Sequence, residues 1–342
     1  MNKINRKYFL TFFGVLIIVM VAAYILNIMV PRSSKPAPSQ QYSYDSQYPY
    51  VTIRDTNGKL VLQTGIPVHI DDEYINEKNY HYRIIKVDGN KATARLVNSP
   101  EYTKQTNTNL LSLLPFSQSK TTQAGAPIHV VLYHTHSDES YTPTSGTPSE
   151  PGNGDIYQVG DTIATVLTQA GISVSHSRAK HDPHDINAYH RSRRTITRLL
   201  KERPDAAFDI HRDSAPVSAY ETTINGIATS RVMIVVGRSN PNTKTNLQYA
   251  RLIKNRADRL HPGLMRGIFM GKGDYNQDLS PRAMLIEVGA HTNKKSDATE
   301  GVMLFADTLP AVLGINTVNA NNATPAAKPR STQNQGAGTT IL

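Results

Sequence analysis

Between residues 127 and 318, apolar runs of strand length alternate with longer stretches of helical spacing, and this alternation limits the fold more than any other feature. IHVVLYH, ISVSHSRA, AAFDIHRD, RVMIVVG, MRGIFMG and AMLIEVGAHTN read as strands, and the most continuous of these runs suit a sheet buried on both faces. VGDTIATVLTQAG has helical spacing and a glycine where a helix should stop. INAYHRSRRTITRLLKERP ends a helix before Pro204, and two further helices run through LQYARLIKNRADRLHP and VMLFADTLPAVLGINTV. The alternation predicts an α/β domain, a mostly parallel twisted sheet flanked by helices.

What precedes this domain is of a different kind. Tyr8 to Val30 contains no charged residue and is long enough as a helix to span roughly 30 Å of hydrocarbon. The basic stretch MNKINRK before it places the N-terminus in the cytoplasm. The apolar run exceeds a signal-peptide core and no A-x-A-like site follows, so residues 1–30 are expected to stay as a single-pass anchor, with the rest of the chain extracytoplasmic. Residues 31–49, rich in Pro, Ser, Gln and Tyr, read as a linker. Residues 50–98 alternate apolar and polar around Asn57-Gly58 and again around Asp88-Gly89, the signature of two hairpins and a small β module for spacing or partner binding. Residues 99–126 form a polar connector with one apolar cluster, and residues 319–342 lack the side chains to bury a core.

Composition removes several function classes. With no cysteine there is neither a disulfide framework nor a thiolate nucleophile or metal ligand, and a metal would need His, Asp or Glu. No G-x-S-x-G elbow occurs. The formal charge of +10 is scattered and not interleaved with aromatics, which argues against nucleic acid and suits an anionic cell envelope.

Ligands of open α/β sheets bind beyond the carboxyl ends of the strands. Three strand ends carry the candidates: His134, His136 and Glu139 in YHTHSDE, His211 and Arg212 in DIHRD, and Glu287 in MLIEVGAHTN. Imidazole and carboxylate are the ligands zinc takes where cysteine is absent, and Glu287, inside an apolar run, suits a proton acceptor. Arg212 suits an oxyanion or a peptide carboxylate, or else a salt bridge to Asp209 or Asp213. His291 and Asn293 either line the site or close a turn. His181-Asp182-Pro183-His184-Asp185 resembles a metal cluster but lies in a proline-containing loop, and His190 to Arg194 reads as a solvated basic patch.

VVLYHTHSDESYTP, VGDTIATVL, DIHRD and IEVGAHTN, in that order, resemble the catalytic domain of the stage II sporulation protein P family, and DTNGKLVLQTG resembles its β module. More distantly the domain is similar to zinc-dependent N-acetylmuramoyl-L-alanine amidases. The resemblance implies Zn2+ held by His136, His211 and a carboxylate, with Glu139 favoured over Asp155 and His134 the alternative first ligand, and Glu287 as catalytic glutamate. It implies a peptidoglycan hydrolase, amidase and endopeptidase, in the intermembrane space of the sporulating cell during engulfment. The partners it implies are a septal lytic transglycosylase and a membrane-bound scaffold protein. A different reading of the same residues is a catalytically silent module that binds peptidoglycan or recruits partners.

Overall fold

A computed structural model describes residues 50–100 and 128–315. The expected membrane segment, the linker, the connector beyond Pro100 and the C-terminal tail lie outside the described residues. Among the described residues no helix is long and apolar enough to cross a membrane.

The strands are β1 (Val51–Asp55), β2 (Leu60–Thr64), β3 (Glu73–Asn76), β4 (His81–Asp88), β5 (Lys91–Asn98), β6 (His129–Tyr133), β7 (Ser173–His176), β8 (Ala206–Asp213), β9 (Glu221–Ile224), β10 (Ile227–Ser230), β11 (Val232–Gly237), β12 (Met265–Gly271) and β13 (Ala283–Ala290). The main helices are α1 (Ile156–Gln169), α2 (Ala188–Leu199), α3 (Thr243–Leu260) and α4 (Lys295–Val312). An 11-stranded sheet runs in the order β2-β1-β5-β4-β3-β12-β11-β13-β8-β6-β7, and β9 and β10 form a separate hairpin. From β7 to β13 neighbours are parallel; β11 is antiparallel to β13 and parallel to β12. The protein is thus a mixed α/β fold on a large sheet flanked by helices.

Side-chain alternation assigns the two faces. Val130 and Leu132 of β6 pack with Ile156, Val159, Ile163 and Leu167 of α1 and Phe305 and Leu309 of α4, in one cluster that also takes in α3. Val131 and Tyr133, one residue out of phase, pack with Ile196 and Leu199 of α2. Both faces are covered, which is why these strands read as continuous apolar runs. Met233, Val235, Phe269 and Leu285 pack with Ile53, Leu62, Tyr74 and Ile84 of the N-terminal strands. Those strands also continue the sheet, since β3 pairs antiparallel with β12.

Several elements differ from the sequence expectation. The short β3 was not read from the sequence, because its four residues do not show a period. The β9–β10 hairpin was also not expected, although Asn225-Gly226 stands at its turn, with Asn225 at φ 52° and Gly226 at φ 81°. Helix α4 begins at Lys295 rather than near Val302. Its first turn, KSDATEG, shows little apolar spacing, but Asp297 favours a helix N-terminus and Ala298 is fully buried.

Gly301 of α4 lies directly against β10. A Cβ there would stand 1.9 Å from the Ser230 carbonyl oxygen. Helix propensity alone would favour alanine by about 1 kcal/mol. The clash reverses the sign: Gly301→Ala is expected to cost roughly 3 kcal/mol or more, read as a lowered midpoint in thermal unfolding. An unchanged or raised midpoint would show that helix and hairpin part easily.

Candidate active site

Because β6, β8 and β13 are parallel neighbours, their carboxyl ends open on one edge of the sheet. The chain after β6 stays buried from His134 through Tyr141 rather than turning out to solvent. It meets the end of β8, where His211 lies opposite Glu287 in the β8–β13 register.

His211 is the most tightly held of the candidates. Its Nδ1 stands 3.3 Å from Glu139 Oε1 and its Nε2 stands 3.0 Å from Asp209 Oδ1. Burial opposes its charged form, but Asp209 and Glu139 outweigh it and push the imidazole well above its usual range. The other oxygen of Glu139 accepts the Arg212 backbone N–H at 2.9 Å. His136 presents its ring edge-on to His211, centroids 5.2 Å apart, and burial together with His184 and His211 holds it well below the usual imidazole range. Glu287 is 5% exposed and its Oε2 is buried without a hydrogen-bond partner. Burial, then Asp213 and Glu139, hold its carboxyl well above the usual carboxylate range. The strand ends therefore bring His136, Glu139, His211 and Glu287 together in a buried pole rich in carboxylates.

The remaining candidates lie in other networks. His134 is fully buried; its Nδ1 bonds the Ile210 carbonyl at 3.0 Å and its Nε2 faces His176 Nε2 at 2.8 Å, so protein groups occupy both ring nitrogens. Asp155 accepts Tyr141 N–H at 3.1 Å and Ser145 O–H at 2.5 Å, and pairs with Lys295 at 2.9 Å. Arg212 donates its Nε to the Ser140 carbonyl at 3.3 Å and its Nη2 to that of Pro148 at 2.7 Å, pinning the loop that begins at Glu139. Asn293 closes a turn by accepting Ala290 N–H at 2.8 Å.

Four residues outside the candidate set also stand here. His184 stacks on His136 with centroids 3.9 Å apart and its Nδ1 is 3.0 Å from Asp138 Oδ1. Among the described residues, His136, Asp138 and His184 form the one group whose ligand atoms all lie within 4.8 Å of one another. The HDPHD run was a visible signal for His184, but nothing in the sequence says that its loop folds back over β6. Asp209, inside a strand, carried no signal for its place behind His211. Tyr189 of α2 completes the wall, edge-on to His136 at 5.6 Å and 16° from parallel with His211 at 6.4 Å.

The donor set fits a zinc ion. It offers imidazole and carboxylate without sulfur, and ligands at ~2.0–2.1 Å from a tetrahedral centre stand roughly 3.3 Å apart, which is the separation of His211 Nδ1 and Glu139 Oε1, although His136 does not bring a ring nitrogen within 4.8 Å of both. The orphaned Glu287 oxygen and the excess of buried carboxylate likewise suit a cation at this pole.

The family model for stage II sporulation protein P matches residues 43–310. A curated relative from Bacillus subtilis (strain 168), stage II sporulation protein P, is 29% identical over 197 residues, which cover 52% of this chain and 49% of the relative. The match therefore spans about half of that relative's length. Among solved structures, the apo N-acetylmuramyl-L-alanine amidase Ami1 from Mycobacterium abscessus is 18% identical with a TM-score of 0.38, covering 56% of this chain and 98% of that one. The catalytic domain of the amidase CwlV from Bacillus (Paenibacillus) polymyxa var. colistinus is 16% identical with a TM-score of 0.37, covering 55% and 99%. Likeness at this level says nothing about activity.

Proposed function

The chain belongs to the stage II sporulation protein P family, and we propose that it is a zinc-dependent peptidoglycan hydrolase of the sporulating cell. It cleaves the amide between muramic acid and L-alanine and, in the same site, peptide bonds of the stem or its cross-links. It works from the membrane on the septal wall during engulfment, beside a septal lytic transglycosylase and a membrane-bound scaffold protein. The observation that carries the reading is the convergence of His136, Glu139, His211 and Glu287 from three parallel strand ends onto one buried pole.

His136, Glu139 and His211 would hold the zinc, which supplies there an activated water and a polarised scissile carbonyl. Asp209, 3.0 Å from His211 Nε2, orients that ring and fixes which nitrogen points inward. The Arg212 amide holds Glu139, and its guanidinium keeps the Glu139 loop closed through Ser140 and Pro148. Glu287, with its proton affinity raised by burial and by Asp213 and Glu139, takes the proton of the attacking water and returns it to the leaving amine. Tyr189 walls one side of the reacting group.

A second metal set, His136 with Asp138 and His184, is favoured by its convergence within 4.8 Å. It shares His136 with the first and excludes Glu287's register partner.

The test is the full chain in detergent with purified peptidoglycan, with and without chelator. The expected result is release of stem peptides with a new L-alanine amine, abolished by chelator and restored by zinc. No release from a chain that binds zinc stoichiometrically would favour the catalytically silent module.

A further inference from the structure

Beyond His211 the end of β8 holds a buried carboxylate to which the proposed chemistry gives no step. Asp213 is 2% exposed, and donors from three separate elements surround it. Its Oδ1 accepts Ser214 N–H at 2.7 Å, Gly65 N–H at 2.8 Å and the Thr64 hydroxyl at 3.1 Å. Its Oδ2 accepts the Tyr220 hydroxyl at 2.8 Å and Arg266 Nη1 at 3.4 Å. Thr64 ends β2, in the N-terminal strands that the sequence presents as a spacer.

Arg266 ties the same strands in from β12. Its Nη2 donates to the Gln63 carbonyl at 2.6 Å, its guanidinium lies 4.2 Å from the centre of the Tyr220 ring, and its own carbonyl accepts the Tyr74 hydroxyl at 2.7 Å. The approach of β2 to β8 is close: a Cβ on Gly65 would stand 2.5 Å from Ser214 Cβ. Buried polar groups joined this completely fix the relative position of the elements that supply them.

Asp213 also reaches the catalytic strand. Its carbonyl accepts His291 N–H at 2.9 Å, and it lies opposite Ala290. Between Glu287 and Ala290, β13 slips out of register with β8, with Gly289 at φ 68°. The slip is bounded on one side by the Glu287–His211 pair and on the other by Asp213. Whatever fixes Asp213 fixes the far end of the bulge that aims Glu287.

We propose that Thr64 and Gly65 are positioning residues of the catalytic site: by holding Asp213 they fix the β8–β13 register at which Glu287 faces His136, Glu139 and His211. The N-terminal strands are then part of the hydrolase though they give no group to the substrate. The proposal rests on the hydrolase reading for its kinetic consequence, but not for its structural one.

Two substitutions in the full chain test it. Thr64→Val keeps the shape and loses the hydroxyl that donates to Asp213 and accepts Ile66 N–H at 3.2 Å, whereas Thr64→Ser keeps both bonds. Two readouts are taken, kcat and KM on peptidoglycan fragments, and amide hydrogen exchange over residues 287–291. Thr64→Val is expected to lower kcat about tenfold with KM and zinc content within twofold, and to speed exchange over 287–291 severalfold below the unfolding transition. Thr64→Ser is expected to match the unmodified chain in both. Unchanged exchange in Thr64→Val overturns the proposal, as does an equal effect of Thr64→Ser. If the unmodified chain cuts nothing while the exchange pattern follows the prediction, the hydrolase reading fails and the coupling of β2 to the β13 bulge stands.

Discussion

Glu287→Gln is expected to lower kcat for release of stem peptides by on the order of 10²–10⁴-fold, the usual contribution of a positioned acid–base group. Glutamine has nearly the size and shape of the protonated glutamate, so the buried volume at the end of β13 is kept. The removed carboxyl is one whose charged form burial already disfavours and whose Oε2 has no partner, so thermal stability should not fall. Zinc content should also hold, because Glu287 is outside the proposed ligand set. Glu287→Asp is the complementary probe: it keeps the acid but draws it back by about one methylene, and misplacement on the order of 1 Å costs about 100-fold. If Glu287→Gln retains full kcat, Glu287 is not the proton acceptor, and another carboxylate of this pole, Glu139 or Asp138, takes the role.

The second large effect separates the two metal sets. His211→Ala is expected to abolish stoichiometric zinc and, with it, hydrolysis. It leaves Glu139 and Asp209, 3% and 1% exposed, facing each other without the imidazole between them. Removing one partner from buried charges of this kind costs about 3–5 kcal/mol, so the unfolding midpoint should fall with the metal. His184→Ala removes a half-buried ring that stacks on His136 and pairs with Asp138, and is expected to keep most of its zinc with only a 10–100-fold loss of affinity. Zinc retained in His211→Ala and lost in His184→Ala would assign the metal to His136, Asp138 and His184.

Much of the domain was readable along the chain because its sheet is covered on both faces. Burial on both sides makes β6 and β11 continuous apolar runs and gives β8 and β13 apolar stretches broken only by charged residues of the site, and such stretches stand out against the helical spacing between them. Family membership was legible for a related reason: VVLYHTHSDESYTP, DIHRD and IEVGAHTN keep strand and strand end together in one motif. What escaped was either short or shown only by contact. β3 has four residues, and β9 and β10 together carry one turn signal and little else. The N-terminal strands announce their two turns at Asn57-Gly58 and Asp88-Gly89, but their union with β12 depends on pairing across nearly two hundred residues, which no local period reports.

The candidate site divides along the same line. Sequence alone determined that His, Glu and Arg would stand at strand ends, that a metal here would be held without sulfur, and that one glutamate would stand inside an apolar strand. Tertiary structure decided which of them meet. It drew His134 into a pair with His176 and Asp155 into a pair with Lys295, and it turned Arg212 toward the loop that begins at Glu139. It also folded His184 over His136 and set the Asp209 carboxylate 3.0 Å from His211. The physical reason is that a side chain's type is local, whereas its hydrogen-bond partners, its dielectric surroundings and the charges that shift its proton affinity come from strands distant in sequence, and exist only once the sheet has closed.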